Sequence, residues 1–293
     1  MRCFSAPAKV NFFLKITGRR EDGYHLLESG MTFFPWFDRL EVACTAGGEI
    51  TLECQPEVTE HQEENLVYRA ALKLQRQAGI RQGAHLRLFK DIPQGAGLGG
   101  GSSDAAVVLL ALNRMWGLDW PLRKLGDLGL ELGADIPFFL GGRSARVSGI
   151  GERLLDYSDC PELELVVVYP DVALATAAVY RGITEPMLAE WAGRGVALVD
   201  GHDWGGVVFQ NDLQRVACRL TATIADVGVR LRNHGAVVAL MSGSGSAVFG
   251  VFEQESKARQ ACEAIIREHP MWRARQGRTF HVHPFDGEWQ SGI

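Results

Sequence analysis

Between Pro93 and Ala106 the chain reads PQGAGLGGGSSDAA, in which five glycines in seven residues (95, 97, 99, 100 and 101) run into two serines and an apolar segment. No other stretch restricts the fold so tightly. Glycines lack the Cβ atoms that keep an anion from the backbone, and they permit φ > 0, so successive N–H groups can converge on one phosphate. An apolar helix directly behind them adds its unpaired first-turn donors and the positive end of its dipole. The spacing predicts a phosphate loop over 91–101, with Ser102 or Ser103 as N-cap of a helix that runs to about Trp116 and stops at Gly117. That helix is apolar nearly all round, so burial should make it a rigid support for the loop.

The edges of the loop separate its possible owners. Gly95, Gly97 and Gly100 satisfy G-x-G-x-x-G, but a dinucleotide fold needs a strand leading directly into the glycines and an acidic residue ending a second strand about 20 positions later. Here Ile92-Pro93-Gln94 intervenes, and 117–125 reads as turn plus helix. A Walker A loop ends in Gly-Lys-Ser/Thr, whereas this one ends GGGSS; the H-R-D and D-F-G segments of a protein kinase are absent. A merely flexible glycine turn would not explain two serines and a carboxylate, Asp104, at the head of a buried helix.

Around the loop the pattern is α+β. Val10, Phe12, Leu14 and Ile16 alternate with Asn11, Phe13 and Lys15, as in a half-buried strand, and Lys9 shares the face of Asn11. A turn follows at 18–25, then strands near 31–34, 39–44 and 49–53, and a helix over 65–77 that Gly79 can stop. His85 to Phe89 is a strand. Helices are expected over 123–132 and after Asp135, where Pro137 fits a first helical turn. The polar turn YSDCPE at 157–162 suggests a domain boundary, dividing the chain into 1–157 and 158–293. Beyond it the pattern gives a strand LELVVVYP, helices near 176–182 and 211–232, strands at 236–241 and 247–252 joined by SGSGS, a helix over 254–269 and a last strand near 279–284. This run alternates like a split βαβ sandwich.

Composition excludes several function classes. A net charge of −5 argues against a broad basic surface for nucleic acid or anionic lipid. The most apolar stretch, 163–180, is interrupted by Glu164, Pro170 and Asp171, short of the ~20 apolar residues of a membrane span. The six cysteines are scattered without a C-x-x-C pair, and the first residues lack the apolar core of a signal peptide, so a reduced, cytoplasmic protein is expected. His281 and His283 have no partner ligands nearby in sequence and read as strand histidines rather than a metal pair.

PQGAGLGGGSSDAA resembles the central motif of the GHMP kinases, the superfamily of galactokinase, homoserine kinase and mevalonate kinase. SAPAKVNFFLKI at 5–16 and MSGSGSAVFGVF at 241–252 are similar to its first and third motifs. The resemblance covers most of the chain and implies a two-domain architecture, with an N-terminal nucleotide-binding domain like the ribosomal-protein-type β-α fold and a C-terminal ferredoxin-like βαβ sandwich. GRREDGYHLLES at 18–29 and ELGADIPFFLGGRSARVSGIGERL at 131–154 are similar to the branch that phosphorylates the 2-hydroxyl of 4-diphosphocytidyl-2-C-methyl-D-erythritol with ATP and Mg²⁺, in the non-mevalonate isoprenoid pathway. The chain departs from that pattern at Pro35-Trp36-Phe37 and in its tail PFDGEWQSGI.

The resemblance implies roles. Asp135 is the expected catalytic carboxylate, with Lys9 beside it; a helix start and an ammonium group both favour its charged form. In a loose transition state the nucleophile's proton becomes acidic late, so Asp135 should orient the hydroxyl and accept its proton late while Lys9 neutralises charge. Pro93, Gly95, Gly97, Leu98, Gly99, Gly100, Gly101, Ser102 and Ser103 would hold the ATP phosphates, with Ser102 or Ser103 contacting Mg²⁺. Asn65 would contact the nucleotide, or cap the helix behind it. Tyr24 and His25 would hold the cytosine, with Thr176 and Tyr180 completing the stack, Asn11 bonding the polyol and Gly243 closing on the phosphate site. The competing readings are a GHMP kinase for homoserine or a sugar, and a catalytically silent nucleotide-binding protein. Either a monomer or a homodimer fits the sequence.

Overall fold

The structure is a computed structural model that describes residues 1–192 and 208–285. Two long strands, β1 (Arg2–Arg19) and β2 (His25–Thr45), open the chain as an antiparallel hairpin. The strands expected at 31–34 and 39–44 are therefore one. Pro35 and Trp36 form a bulge opposite the step from Pro7 to Ala8, where no ladder hydrogen bond is asked of the proline. A second bulge, at Phe12, corrects the simple alternation of β1. Ahead of it Val10 and Phe12 enter one apolar cluster, and behind it Leu14 and Ile16 enter the other. Lys9 and Asn11 stay on the opposite face from Val10, on the side of Leu14.

There follow β3 (Ile50–Gln55), α1 (Leu66–Ala78), β4 (Gly83–Phe89), α2 (Gly100–Met115), α3 (Leu122–Leu130), α4 (Ile136–Gly141), β5 (Ala145–Gly149) and β6 (Arg153–Asp156). The second half holds β7 (Glu164–Tyr169), α5 (Thr176–Arg181), α6 (Glu185–Trp191), β8 (Gln210–Asn211), α7 (Asp212–Leu220), α8 (Thr223–Asn233), β9 (Val238–Met241), β10 (Val248–Phe252), α9 (Glu255–Glu268) and β11 (Arg273–Arg278). The pair β5 and β6 and the helix α6 carry no strong periodicity and were not expected. The helix expected over 211–232 is two helices, because Thr221 is extended and its hydroxyl accepts from the Thr223 N–H. The last strand lies at 273–278 rather than 279–284. Its arginine-rich sequence hides it, while Phe280 and Val282 alternate like a strand but make only isolated bridges to Phe33 and Arg143.

Among the described residues the first sheet has seven strands in the order β3-β4-β2-β1-β8, with β5 on β2 and β6 on β5; the second is the antiparallel sheet β11-β7-β10-β9. Helices α8 and α9 pack on the second sheet, giving the split βαβ arrangement. Buried almost throughout, α2 lies against α1, α4 and the β1/β2 hairpin. Val107, Val108, Leu109 and Leu112 are wholly inaccessible, each worth roughly 1.5–3 kcal/mol of burial. The second cluster fills the space between the sheets, with Phe12, Trp36 and Leu98 against Leu165, Val167 and Phe249. All six cysteines are free thiols.

Candidate active site

Where β4 ends, the chain passes through Lys90 and Asp91 into the glycine loop. Gly95, Gly97 and Gly99 all have positive φ. The N-cap of α2 is Gly99, not a serine: its αL conformation turns the chain so sharply that Gly100 and Gly101 already belong to the helix. Ser102 thus lies within the first turn, among N–H groups that have no carbonyl one turn behind them, while the Ser103 N–H already donates to the Gly99 carbonyl at 2.9 Å. A Cβ on Gly99 would lie 3.0 Å from both the Lys9 side chain and the Phe139 ring, and one on Gly97 would overlap the carbonyl oxygen of Ser242. Close approach of three segments explains these glycines. At Gly101 a Cβ would meet nothing within 4 Å.

The loop is fastened from below and above. Below, the Lys90 ammonium is shared by Asp104 of α2, at 2.7 Å, and Asp38 of β2. Asp38 also accepts from the N–H groups of Asp91 (2.5 Å) and Ile92 (2.8 Å). Burial opposes the charge of Lys90, yet Asp104 and Asp38 together hold its pKa above the usual lysine value; burial pushes the Asp104 carboxyl up against the pull of Lys90. Asp91 in turn accepts from Trp36 Nε1 at 3.1 Å and from Arg273 and Arg275 of β11 at 2.5 Å each. The departure Pro35-Trp36-Phe37 therefore serves as a seat for the loop's base. From above, in the SGSGS turn, Ser242 Oγ donates to the Gly97 carbonyl at 3.0 Å and the Ala247 N–H to the Ala96 carbonyl at 3.0 Å.

Beside the loop, β1 places Lys9, whose own N–H donates to the Leu98 carbonyl at 2.9 Å. Lys9 Nζ donates to Asn11 Oδ1 at 2.5 Å and lies 3.8 Å from Asp135 Oδ2. The Lys9 side chain is 4% exposed and that of Asp135 32%, so the pair stands at the floor of an accessible space. Burial lowers the Lys9 pKa, with Asp135 opposing the shift. Asp135 occupies the N-cap position of α4, but its carboxylate makes no capping hydrogen bond and is turned to Lys9 instead. Asn11 is also bonded within the protein: its Oδ1 accepts from Lys9 and its Nδ2 donates to Ser29 Oγ at 2.8 Å.

These groups line one cavity of about 1010 Å³. Every residue expected in the site faces it except Ser103, which is wholly buried with its hydroxyl unpartnered. At one end lie the glycine loop, Asn65 and the unforeseen Val58, Thr59 and Glu64 from the stretch between β3 and α1, which has no periodicity to flag it. Asn65 does cap α1, its Oδ1 accepting from the Val67 N–H at 3.0 Å, and still lines the cavity. At the other end His25 and Tyr180 face each other with ring centroids 5.5 Å apart, while Tyr24 stands at the rim, 62% exposed. Burial, with help from Arg19, lowers the His25 pKa, and its Nε2 is buried without a partner. A neutral imidazole with a free edge suits a ligand that offers hydrogen bonds. Burial and Asp135 raise the Tyr180 phenol, which stays neutral. Thr176 bonds Ser244 of the SGSGS turn, oxygen to oxygen, at 2.8 Å. Among the described residues no cluster of His, Cys, Asp and Glu forms a metal site, and His281 and His283 are no exception.

Comparison with known proteins gives a consistent picture. Residues 65–143 match the model of the GHMP kinases N terminal domain, and 210–270 that of GHMP kinases C terminal. The chain is 42% identical over 293 residues to the 4-diphosphocytidyl-2-C-methyl-D-erythritol kinase of Variovorax paradoxus (strain S110), covering 96% of each. A crystal structure of 4-(cytidine 5'-diphospho)-2C-methyl-D-erythritol kinase superposes with a TM-score of 0.80 at 39% identity, over 95% of this chain and 99% of that one. The homoserine kinase from Cytophaga hutchinsonii ATCC 33406 has a TM-score of 0.71 at 17% identity, over 97% of this chain and 96% of that one, which is a likeness of fold alone.

Proposed function

The chain belongs to the 4-diphosphocytidyl-2-C-methyl-D-erythritol kinases among the GHMP kinases, and from that membership we propose how its residues carry the reaction. It is a small-molecule kinase of isoprenoid precursor synthesis, phosphorylating the 2-hydroxyl of 4-diphosphocytidyl-2-C-methyl-D-erythritol with ATP to give the 2-phosphate and ADP. One observation carries the assignment of roles: the pair Lys9 and Asp135 lies in one cavity with a phosphate loop and the wall made by His25 and Tyr180.

In our reading the ATP phosphates lie over the first turn of α2, where the free N–H groups and the helix dipole favour negative charge. Cytosine lies against Tyr24 and the pair His25 and Tyr180, the free Nε2 of His25 reading its edge. The polyol then spans the distance to Asp135. Asp135 orients the 2-hydroxyl and takes its proton late, because in a loose transition state bond making to the nucleophile lags behind departure of the leaving group. Lys9, whose ammonium is weakened by burial, becomes firmly cationic once phosphate charge arrives, and then offsets charge on the transferring group. Asn11 positions Lys9 through its Oδ1, and its Nδ2, which gives one of its two hydrogens to Ser29, keeps the other for the polyol.

Mg²⁺ fits this site as a companion of the nucleotide. With no cluster of protein ligands among the described residues, phosphate oxygens and water would supply most of its shell, and of the two serines Ser102 faces the cavity and would hold it. Bound there, the ion would neutralise phosphate charge. We place the division between nucleotide-binding and C-terminal domains at 157/158. A monomer or a homodimer fits this reading. Among the described residues no helix is long and apolar enough to cross a membrane, and we assign the enzyme to the cytoplasm, where ATP is supplied.

The test is ADP release measured across a panel of alcohols, with Tyr24→Ala alongside the unaltered protein. The reading expects turnover with the cytidine diphosphate-linked polyol, and a KM for that substrate at least tenfold higher in the variant with ATP KM within twofold. Equal loss toward both substrates, or preference for homoserine or a free sugar, would overturn it.

A further inference from the structure

Among the groups that tie down the SGSGS turn over the site, one side chain from outside the turn holds two of its carbonyl oxygens at once. Asn211, 8% exposed, sits in β8 beside Leu14 of β1, and its Oδ1 caps α7 by accepting from the Leu213 N–H at 3.0 Å. Its Nδ2 donates to two carbonyls at once, Met241 at 2.7 Å and Gly243 at 2.8 Å. Neighbours on the same elements reinforce the junction: Asp212 Oδ2 accepts from the Ile16 N–H at 2.8 Å, and Gln214 Oε1 from the Met241 N–H at 2.9 Å. The held turn comes so close to the reacting groups that a Cβ on Gly243 would lie 3.1 Å from Lys9 Nζ and 2.9 Å from the Gly97 carbonyl oxygen. Lys9 is thus covered by backbone that Asn211 fixes.

We propose that Asn211 is a positioning residue for phosphoryl transfer: its amide presses the turn at 242–246 onto Gly97 and Lys9, setting the place of the ammonium and keeping water from it. Losing the amide takes a donor from both carbonyls at once, so both are left to seek water, and the turn must lift to let water in. The proposal rests on the role given to Lys9 above.

Asn211→Asp is the sharpest probe, because aspartate caps a helix as well as asparagine does while replacing the two donated hydrogen bonds by an acceptor facing two acceptors. Two quantities are read: kcat, and the rate at which acetic anhydride modifies individual lysines, followed by peptide mass spectrometry. The proposal expects kcat to fall at least tenfold and Lys9 modification to accelerate at least tenfold, with Lys90 modified at its original rate. Lys90 is equally buried but held by Asp38 and Asp104, so it reports general loosening. Acceleration at both lysines would reduce Asn211 to a purely structural residue; unchanged kcat, or a fallen kcat with Lys9 still protected, would overturn the route through Lys9. Should Asn211→Asp not fold, Ser242→Ala carries the same pair of readings, since it removes the tie from the turn to Gly97 together with the longer contact to Asn11 Oδ1. The labelling arm does not depend on turnover, so it stands apart from the assignment of the substrate.

Discussion

Gly101 and Gly97 offer a way to separate what the glycine loop does for stability from what it does for ATP. At Gly101 a methyl group would meet no protein atom within 4 Å, the residue lies in the first turn of α2, and its φ is not positive. Gly101→Ala should therefore stabilise the protein by about 0.4–1 kcal/mol through the unfolded state, raising Tm by roughly 1–4 °C for a chain of this size. The same methyl group would occupy the space where a phosphate approaches the N–H groups. Losing one charge-assisted hydrogen bond, worth about 1.5–3 kcal/mol, weakens ATP by ~10- to 150-fold. Gly97→Ala should differ in kind: positive φ costs about 1–2 kcal/mol, and the overlap with the Ser242 carbonyl oxygen adds to it, so stability and nucleotide affinity fall together. Thermal denaturation and calorimetric titration with ATP measure both. A Gly101→Ala protein that is more stable and binds ATP within twofold of the original would refute the placing of phosphate over this turn.

Three further outcomes follow from the geometry. Lys90→Met leaves two buried carboxylates without their shared ammonium and should cost about 3–5 kcal/mol in a denaturant titration, whereas a loss under ~1 kcal/mol would deny the staple its importance. His283 is buried, its imidazole pushed down to about 4 by burial, so the fold holds it neutral. Below its unfolded value of about 6.5 the unfolded chain gains the proton first; stability should fall by up to about 3 kcal/mol as pH drops from 6.5 to 4, and His283→Gln should flatten that slope. Arg273→Ala with Arg275→Ala removes both cations from Asp91 at the loop's base; because all three are partly exposed, the cost should stay near 1 kcal/mol and shrink in high salt, which denaturation at two ionic strengths would show.

The sequence revealed local chemistry better than long-range construction. Glycine spacing, the Asn65 cap and the apolar α2 are signals written within a few residues, and each appears in the structure where its physics required. The bulge at Phe12 left no such mark, since alternation on either side of it looks continuous until the partner strand is known. Asp38 and Lys90 are scattered charges in the sequence, indistinguishable from solvated ones, and even Asp104, conspicuous at the head of a buried helix, shows no partner before the fold brings β2, β4 and α2 together. Asn211 was hidden for the same reason: the sequence counts it into the helix expected over 211–232, and only the folded chain shows that it caps α7 and what the rest of its amide holds. Pro35-Trp36-Phe37 looked like an anomaly because its partners, Asp91 and the arginines of β11, come from distant parts of the chain.

The central claim is that Asp135, beside Lys9, assists transfer rather than binding. Asp135→Asn keeps the shape of the side chain and removes its capacity to take a proton. With the cytidine diphosphate-linked polyol and ATP, kcat should fall by at least ~10²-fold, the low end of general-base effects, while ATP measured alone binds within about threefold of its original affinity. Near-normal turnover in Asp135→Asn would contradict the account.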